Sequence, residues 1–246
     1  MSELERAIGD LVIANRILAN EGVVDAYGHV SIRHPKNPKR YFLSCSRSPE
    51  LVERSDIMEF GLDGVPVGDD ARTPYLERFI HGAIYEARPD VHAVVHSHAD
   101  EVLPFSIATT RLRPVVHTAS CIGQHIPLWD IRDKFGDTKL LVVNMEQGRD
   151  LARQLGSDKV VLMRGHGFAA GGRSLIEVVR ISVYMPRNAM VFMQARQLGR
   201  VKGLSRGEIA IRATTRPDAP EVLRAWEYWA VRAGCGDMLA KRSPAR

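Results

Sequence analysis

A chain of 246 residues with 45% hydrophobic content has the material for one large core, so a single α/β domain is the simplest organisation. The formal charge of +5 comes from scattered residues such as Arg196, Arg200, Lys202, Lys241 and Arg242; no basic stripe interleaved with aromatics is present, which argues against nucleic acid as a partner. No apolar stretch reaches bilayer length, the acidic start is not a signal peptide, and Cys45, Cys121 and Cys235 form no zinc or disulfide pattern, so a reducing cytoplasm and no membrane contact are expected.

In chain order, Ser2 and Glu5 form a capping box, and the apolar spacing of Leu4, Ile8, Leu11, Ile17 and Leu18 predicts a helix stopped at Gly22. Residues 28–33, 41–43 and 56–60 read as short strands, the last ending at a Leu62-Asp63-Gly64 turn. A helix is predicted from Thr73, with Pro74 in its first turn, to Arg88 before Pro89. A buried strand at 93–96 and a helical stretch near 101–109 follow. Residues 140–143 read as a strand, Asn144 to Gln147 as the cap of a helix ending at Gly156, and 160–163 as another strand. A long helix is predicted over 174–198, kinked or broken at Pro186. Beyond Gly203 the composition shifts to an extended linker at 212–220 and a final helix at 221–233. The division expected is a main domain over 1–205 and an extension over 206–246 with one helix. Hairpin signals in the first half predict an α/β fold whose sheet is mixed or antiparallel, flanked by helices.

The chemistry concentrates in His96-Ser97-His98. Side chains two apart on a strand share a face, so both imidazoles reach one cation. A third histidine lies between glycines in Gly165-His166-Gly167, where backbone can approach an ion closely. Three neutral imidazoles leave coordination positions open, as in a working rather than a structural metal site. Glu77 stands on the preceding helix, with His81 and Tyr85 at successive four-residue steps. It is placed to ligate the ion or act as a general base beside it; the plain alternative is a surface carboxylate.

The run from Thr73 through Glu77, His81, Tyr85 and Pro89 to His96-Ser97-His98, with Gly165-His166-Gly167 and Gly28-His29-Val30-Ser31-Ile32-Arg33, resembles the core motif of the class II aldolase/adducin family over roughly residues 6–200. The resemblance implies a largely antiparallel sheet between helix layers and a homotetramer with sites near subunit boundaries. It also implies one divalent ion per subunit (zinc, manganese, cobalt or iron) on His96, His98 and His166, with Glu77 as fourth ligand or catalytic acid/base.

The departures bear on the reaction. Sugar-phosphate aldolases of the family carry Gly-Asn-x-Ser and a Thr-Pro-Ser-Gly loop that cradle phosphate. Here the first motif reads Gly28-His29-Val30-Ser31 and the loop reads Ser44-Cys45-Ser46-Arg47-Ser48-Pro49. Arg47 brings a planar fork suited to a carboxylate, or else an intramolecular ion pair. This variant is most similar to the family's decarboxylase branch, which acts on hydroxylated aromatic or pyridine dicarboxylates. The resemblance thus implies a metal-dependent decarboxylase of a small anionic hydroxylated aromatic or heteroaromatic (di)carboxylate, in which the ion stabilises an enolate-like intermediate. Ser31, Ser46, Arg47 and Ser48 are the expected substrate contacts. Glu77 or His29 is the expected proton donor, and His81 is read as orienting Glu77. The alternatives are an aldolase or lyase acting on a small hydroxy-carbonyl compound, and a non-catalytic adducin-like scaffold. His117 either edges the site or is a core histidine, and the aromatic residues Tyr184, Trp226, Tyr228 and Trp229 read as core or subunit contacts.

Overall fold

The computed structural model describes residues 2–239, so the basic pair Lys241 and Arg242 lies outside the described residues. Helix α1 (Glu3–Asn20) opens with the reciprocal cap expected of Ser2 and Glu5, each side chain accepting the other's N–H. Strands β1 (His29–Arg33), β2 (Arg40–Ser44) and β3 (Ile57–Gly61) follow, then helix α2 (Arg78–Ala87) and strand β4 (Ala93–Ser97). Helix α3 (Leu103–Ile107), strand β5 (Leu128–Trp129) and the one-turn helix α4 (Arg132–Phe135) lead to helix α5 (Met145–Leu155). Strands β6 (Val160–Met163) and β7 (Gly167–Gly172) precede helices α6 (Leu175–Leu198), α7 (Arg206–Ala213) and α8 (Pro220–Arg232).

The strands make one seven-stranded sheet in the order β3-β2-β1-β4-β7-β6-β5. Every neighbouring pair is antiparallel except β5 with β6, as the hairpin signals implied. Strand alternation divides the core. Val30, Ile32, Ala93 and Val95 pack with Leu11, Ile17, Val179 and Trp226 on the α1, α6 and α8 side. Val94 and Ala169 pack with Ile84 and Leu151 on the α2 and α5 side. Helices cover both faces, so β1 and β4 are buried along their whole length.

Five local expectations are corrected. Helix α2 starts at Arg78 rather than Thr73: Pro74 bridges to Cys45 and the Thr73 carbonyl accepts the Ser46 N–H, so residues 73–74 pair as extended backbone. Residues 140–143 lie outside every strand, and the Val142 N–H donates to Glu77 Oε1 instead of a ladder. The stretch near 101–109 is helical only over Leu103–Ile107. Pro186 does not break α6, because residues buried before it (Val178, Ile181) and after it (Ala189, Phe192) hold the helix against the core. The segment beyond 205 carries α7 as well as α8.

A buried arginine ties α2 to the sheet. Arg33, at the end of β1, donates from Nη2 to the carbonyls of Tyr85 and Arg88, from Nε to Val91 and from Nη1 to Pro38. Its charge therefore sits on the carbonyl end of α2, where the helix dipole favours a cation. Gly148 of α5 lets that helix come close to the other end of α2, since a Cβ there would stand 2.6 Å from the Phe79 carbonyl oxygen. Replacing Arg33 by methionine strands these carbonyls and is expected to cost about 2–4 kcal/mol. Denaturant unfolding checks it, and an unchanged midpoint would contradict the role.

Candidate metal centre

Cα pairing places His96 on β4 opposite His29 on β1 and Ala169 on β7, on the sheet face that carries α2. His98 follows just past the strand end on the same side. His166 lies in the turn between β6 and β7, where Gly165 has φ +63. Gly167 passes so close to β4 that a Cβ would fall 2.0 Å from the Ser97 carbonyl oxygen, so only glycine permits this seam. Glu77 arrives as the residue that precedes the first turn of α2.

The four side chains converge as the resemblance implied. His98 Nε2 lies 2.9 Å from His96 Nε2 and 3.1 Å from His166 Nε2. Glu77 Oε2 stands 3.3 Å from His96 Nε2 and 3.4 Å from His166 Nε2. All four donor atoms fall within 4.8 Å of one another. A cation at the centre would satisfy all four donors at once. His96 Nδ1 faces the Phe168 carbonyl at 3.1 Å, to which it can only donate, so the neutral ring presents a bare Nε2 to the centre. His98 Nδ1 faces Asp25 Oδ1 at 3.5 Å, with the same consequence. His166 Nδ1 is buried without a partner. Lone pairs held this close repel unless a cation sits between them, and three imidazoles with one carboxylate suit a divalent first-row metal.

Charge supports the same reading. Burial alone would raise the Glu77 carboxyl, but positive charge shared with the facing His96 and His166 nitrogens, a proton's or an ion's, holds it well below the ordinary range, so it stays ionised. Burial, reinforced by His96 and His166, pushes His98 down to about 4 and keeps it unprotonated near neutrality.

Beside the cluster runs a buried hydrogen-bonded chain. His29 Nδ1 lies 2.6 Å from His81 Nε2, His81 Nδ1 lies 2.6 Å from Ser31 Oγ, and Ser31 Oγ lies 2.8 Å from the Tyr85 hydroxyl. His81 thus orients His29 rather than Glu77, correcting the expectation. Ser31 is fully buried within the chain and supports His81 instead of meeting a substrate. Burial drives the pKa of His81 down to about 3 and that of His29 well below its ordinary value, so both rings are neutral.

The cluster floors a cavity of about 560 Å³ lined by His29, Ser46, Glu77, His98 and His166, with Tyr27, Tyr75, Leu76 and Leu141 as largely apolar walls. Arg47 is absent from this lining; it pairs with Asp56 at 3.3 Å, the intramolecular alternative. Ser48 also stays outside the lining and precedes a one-turn helix at Pro49–Leu51. His117 lines a different cavity. The sequence reading missed Asp25, Tyr27, Tyr75 and Leu141. A signal existed for Asp25, since an aspartate before Gly28 reads as a turn, and its Oδ1 does accept the Tyr27 and Gly28 N–H groups.

Residues 9–193 match the family described as Class II Aldolase and Adducin N-terminal domain, and the chain belongs to that family. Among its relatives, a protein named decarboxylase tropJ from Talaromyces stipitatus is 35% identical over 235 residues, covering 87% of this chain and 88% of the relative. A 3,4-dihydroxyphthalate decarboxylase from Arthrobacter keyseri is 28% identical over 77% of this chain and 78% of its own. These names accord with the resemblance to the decarboxylase branch. An aldolase II superfamily protein from Pseudomonas syringae shares the fold with a TM-score of 0.79 at 21% identity, covering 97% of this chain and 96% of its own.

Asp25→Ala frees His98 and is expected to weaken zinc affinity about 10–100-fold by competition titration, whereas His166→Ala abolishes stoichiometric binding. Wild-type affinity in Asp25→Ala would remove Asp25 from the centre. A histidine whose pKa falls on folding binds more protons when unfolded, so stability is lost as pH falls. For His98 and His81 the metal-free protein is expected to lose thermal stability from about pH 6.5 down toward about 4 and 3. A flat melting temperature across that window would contradict buried neutral rings.

Proposed function

We propose that this chain is a divalent-metal-dependent lyase that decarboxylates a hydroxylated aromatic or heteroaromatic carboxylate. The observation that carries the reading is the set of three imidazoles and an ionised carboxylate at the floor of an aromatic-walled cavity. Relatives named as decarboxylases support it. The bound ion, held by His96, His98 and His166, would act as a Lewis acid and favour negative charge on the substrate's ring oxygen.

The chain's own residues account for the rest. Tyr27, Tyr75, Leu76 and Leu141 offer apolar walls to a planar ring. Glu77 Oε1 is fixed by the Val142 N–H, which leaves Oε2 to exchange protons. Ionised at rest, Glu77 takes the proton of the ring hydroxyl and returns it to the ring carbon that bears the carboxylate. The keto tautomer so formed loses carbon dioxide: the carbon–carbon bond breaks, its electrons restore the aromatic ring, and the phenolate regains a proton from solvent. His29 acts through its free nitrogen. When Tyr85 donates to Ser31, Ser31 to His81 Nδ1 and His81 Nε2 to His29 Nδ1, His29 carries its proton on Nε2 and offers a neutral donor to a substrate oxygen. Ser46 at the wall supplies a further hydroxyl for a second carboxylate.

The expected tetramer belongs to this proposal too. Tyr27 and Leu76 at the cavity are 71% and 64% exposed, and Ile107 near Gly165 is 68% exposed, an apolar rim suited to burial against another copy.

Carbon dioxide release from dihydroxyphthalate-type acids, assayed beside aldehyde release from sugar-like compounds, tests the reading. Zinc- or manganese-loaded protein is expected to release carbon dioxide, and Glu77→Gln to lower kcat by about 10²–10⁴-fold. Aldehyde without carbon dioxide would instead indicate an aldolase. A chain with no affinity for zinc, manganese or cobalt would favour a scaffold.

A further inference from the structure

A second cavity of about 560 Å³ lies between α6 and α8, closed by α7 and the short turn His117–Ile122, and shares no lining residue with the metal cavity. Its volume falls within the range of small-molecule sites. Its lining follows helical spacing. Arg180, Tyr184 and Arg187 stand at four- and three-residue steps on α6, and Glu221, Arg224 and Tyr228 do the same on α8. Arg212 enters from α7.

The charge balance of this cavity is unusual for two packed helices. Four guanidiniums face it, and Glu221 is the only carboxylate in its lining among the described residues. Arg187 is already paired with Glu21, whose side chain is almost fully buried. The Nε of Arg212 is buried without a hydrogen-bond partner. Guanidiniums gathered in a partly desolvated cleft repel one another, and an anion relieves that repulsion. Beside Thr118 and Ala225, the remaining walls include aromatic rings: Tyr184 meets Trp229 edge to face at 5.8 Å between centroids, and Arg187 lies over the Tyr184 ring at 5.7 Å. Planar forks select carboxylates in a bidentate geometry, and the aromatic wall offers a face for a flat ring.

We propose that this cleft is a binding site for an aromatic dicarboxylate, separate from the metal centre. One carboxylate is held by Arg180 and Arg212 and the other by Arg224, with the ring against Tyr184 and Trp229. The assignment stands on this cavity alone and does not depend on the reaction proposed above.

Calorimetric titration of the full chain with phthalate (benzene-1,2-dicarboxylate), which lacks a ring hydroxyl, tests it. Wild type and His166→Ala are expected to bind phthalate equally, and Arg180→Met and Arg224→Ala at least tenfold more weakly. Inorganic phosphate and benzoate should each bind wild type at least tenfold more weakly than phthalate. Arg224 is exposed, so its variant should fold normally, which circular dichroism verifies. No phthalate binding to wild type would overturn the proposal. So would binding lost in His166→Ala but retained in Arg180→Met, which places the anion in the metal cavity. Phosphate binding as tightly as phthalate would remove the aromatic ligand class. A change of mass in light scattering for Arg224→Ala, with phthalate affinity unchanged, would make the face a subunit contact instead.

Discussion

Three imidazole nitrogens and one carboxylate oxygen are packed within 4.8 Å of one another, a spacing that a single cation would satisfy at once. Each is aimed by a separate restraint: His96 by the Phe168 carbonyl, His98 by Asp25, His166 by its two glycines, and Glu77 by the Val142 N–H. A divalent ion at their meeting point would relieve the mutual repulsion of these lone pairs. The fold can therefore be read as a device that delivers these side chains to one point.

The sheet order explains how the delivery works. Strand β4 sits at the centre between β1 and β7, so His96 is flanked by His29 on one side and by the approach to His166 on the other. Helix α2 lies over the same face and brings Glu77 at its start, then His81 and Tyr85 along its length. Arg33 secures the far end of α2 and Gly148 allows α5 to press against it. Stability and site are thus coupled: the contacts that hold α2 also set the distance from carboxylate to imidazoles. The His29–His81–Ser31–Tyr85 chain extends the coupling, since the proton positions on the two neutral buried histidines stay fixed only while the Ser31 and Tyr85 hydroxyls anchor His81.

Much of this was legible in the amino-acid sequence, and the boundary is instructive. The histidine pair two residues apart, the glycine-flanked third histidine and the Ser2–Glu5 cap each signal through local geometry, and local geometry survives folding. Strand β7 was not foreseen because its sequence, Gly-Phe-Ala-Ala-Gly-Gly, has little intrinsic β preference; its small residues answer to close packing on both faces, a tertiary demand. The apolar run at 140–143 misled for the converse reason: its pattern is strand-like, yet its backbone donor is committed to Glu77. Arg47 looked like a carboxylate fork because the sequence conceals its partner Asp56, nine positions along but beside it in space. Ser31 looked like a substrate contact for a similar reason, its role being set by α2 residues some fifty positions away.

The central claim is that His96, His98 and His166 converge on one ion beside Glu77, and X-ray absorption spectroscopy of the zinc-loaded protein tests it most directly. The account predicts three imidazole nitrogens at about 2.0–2.1 Å with oxygen completing the shell and no sulfur. Thiolate sulfur in the shell, or fewer than three imidazoles, would contradict it.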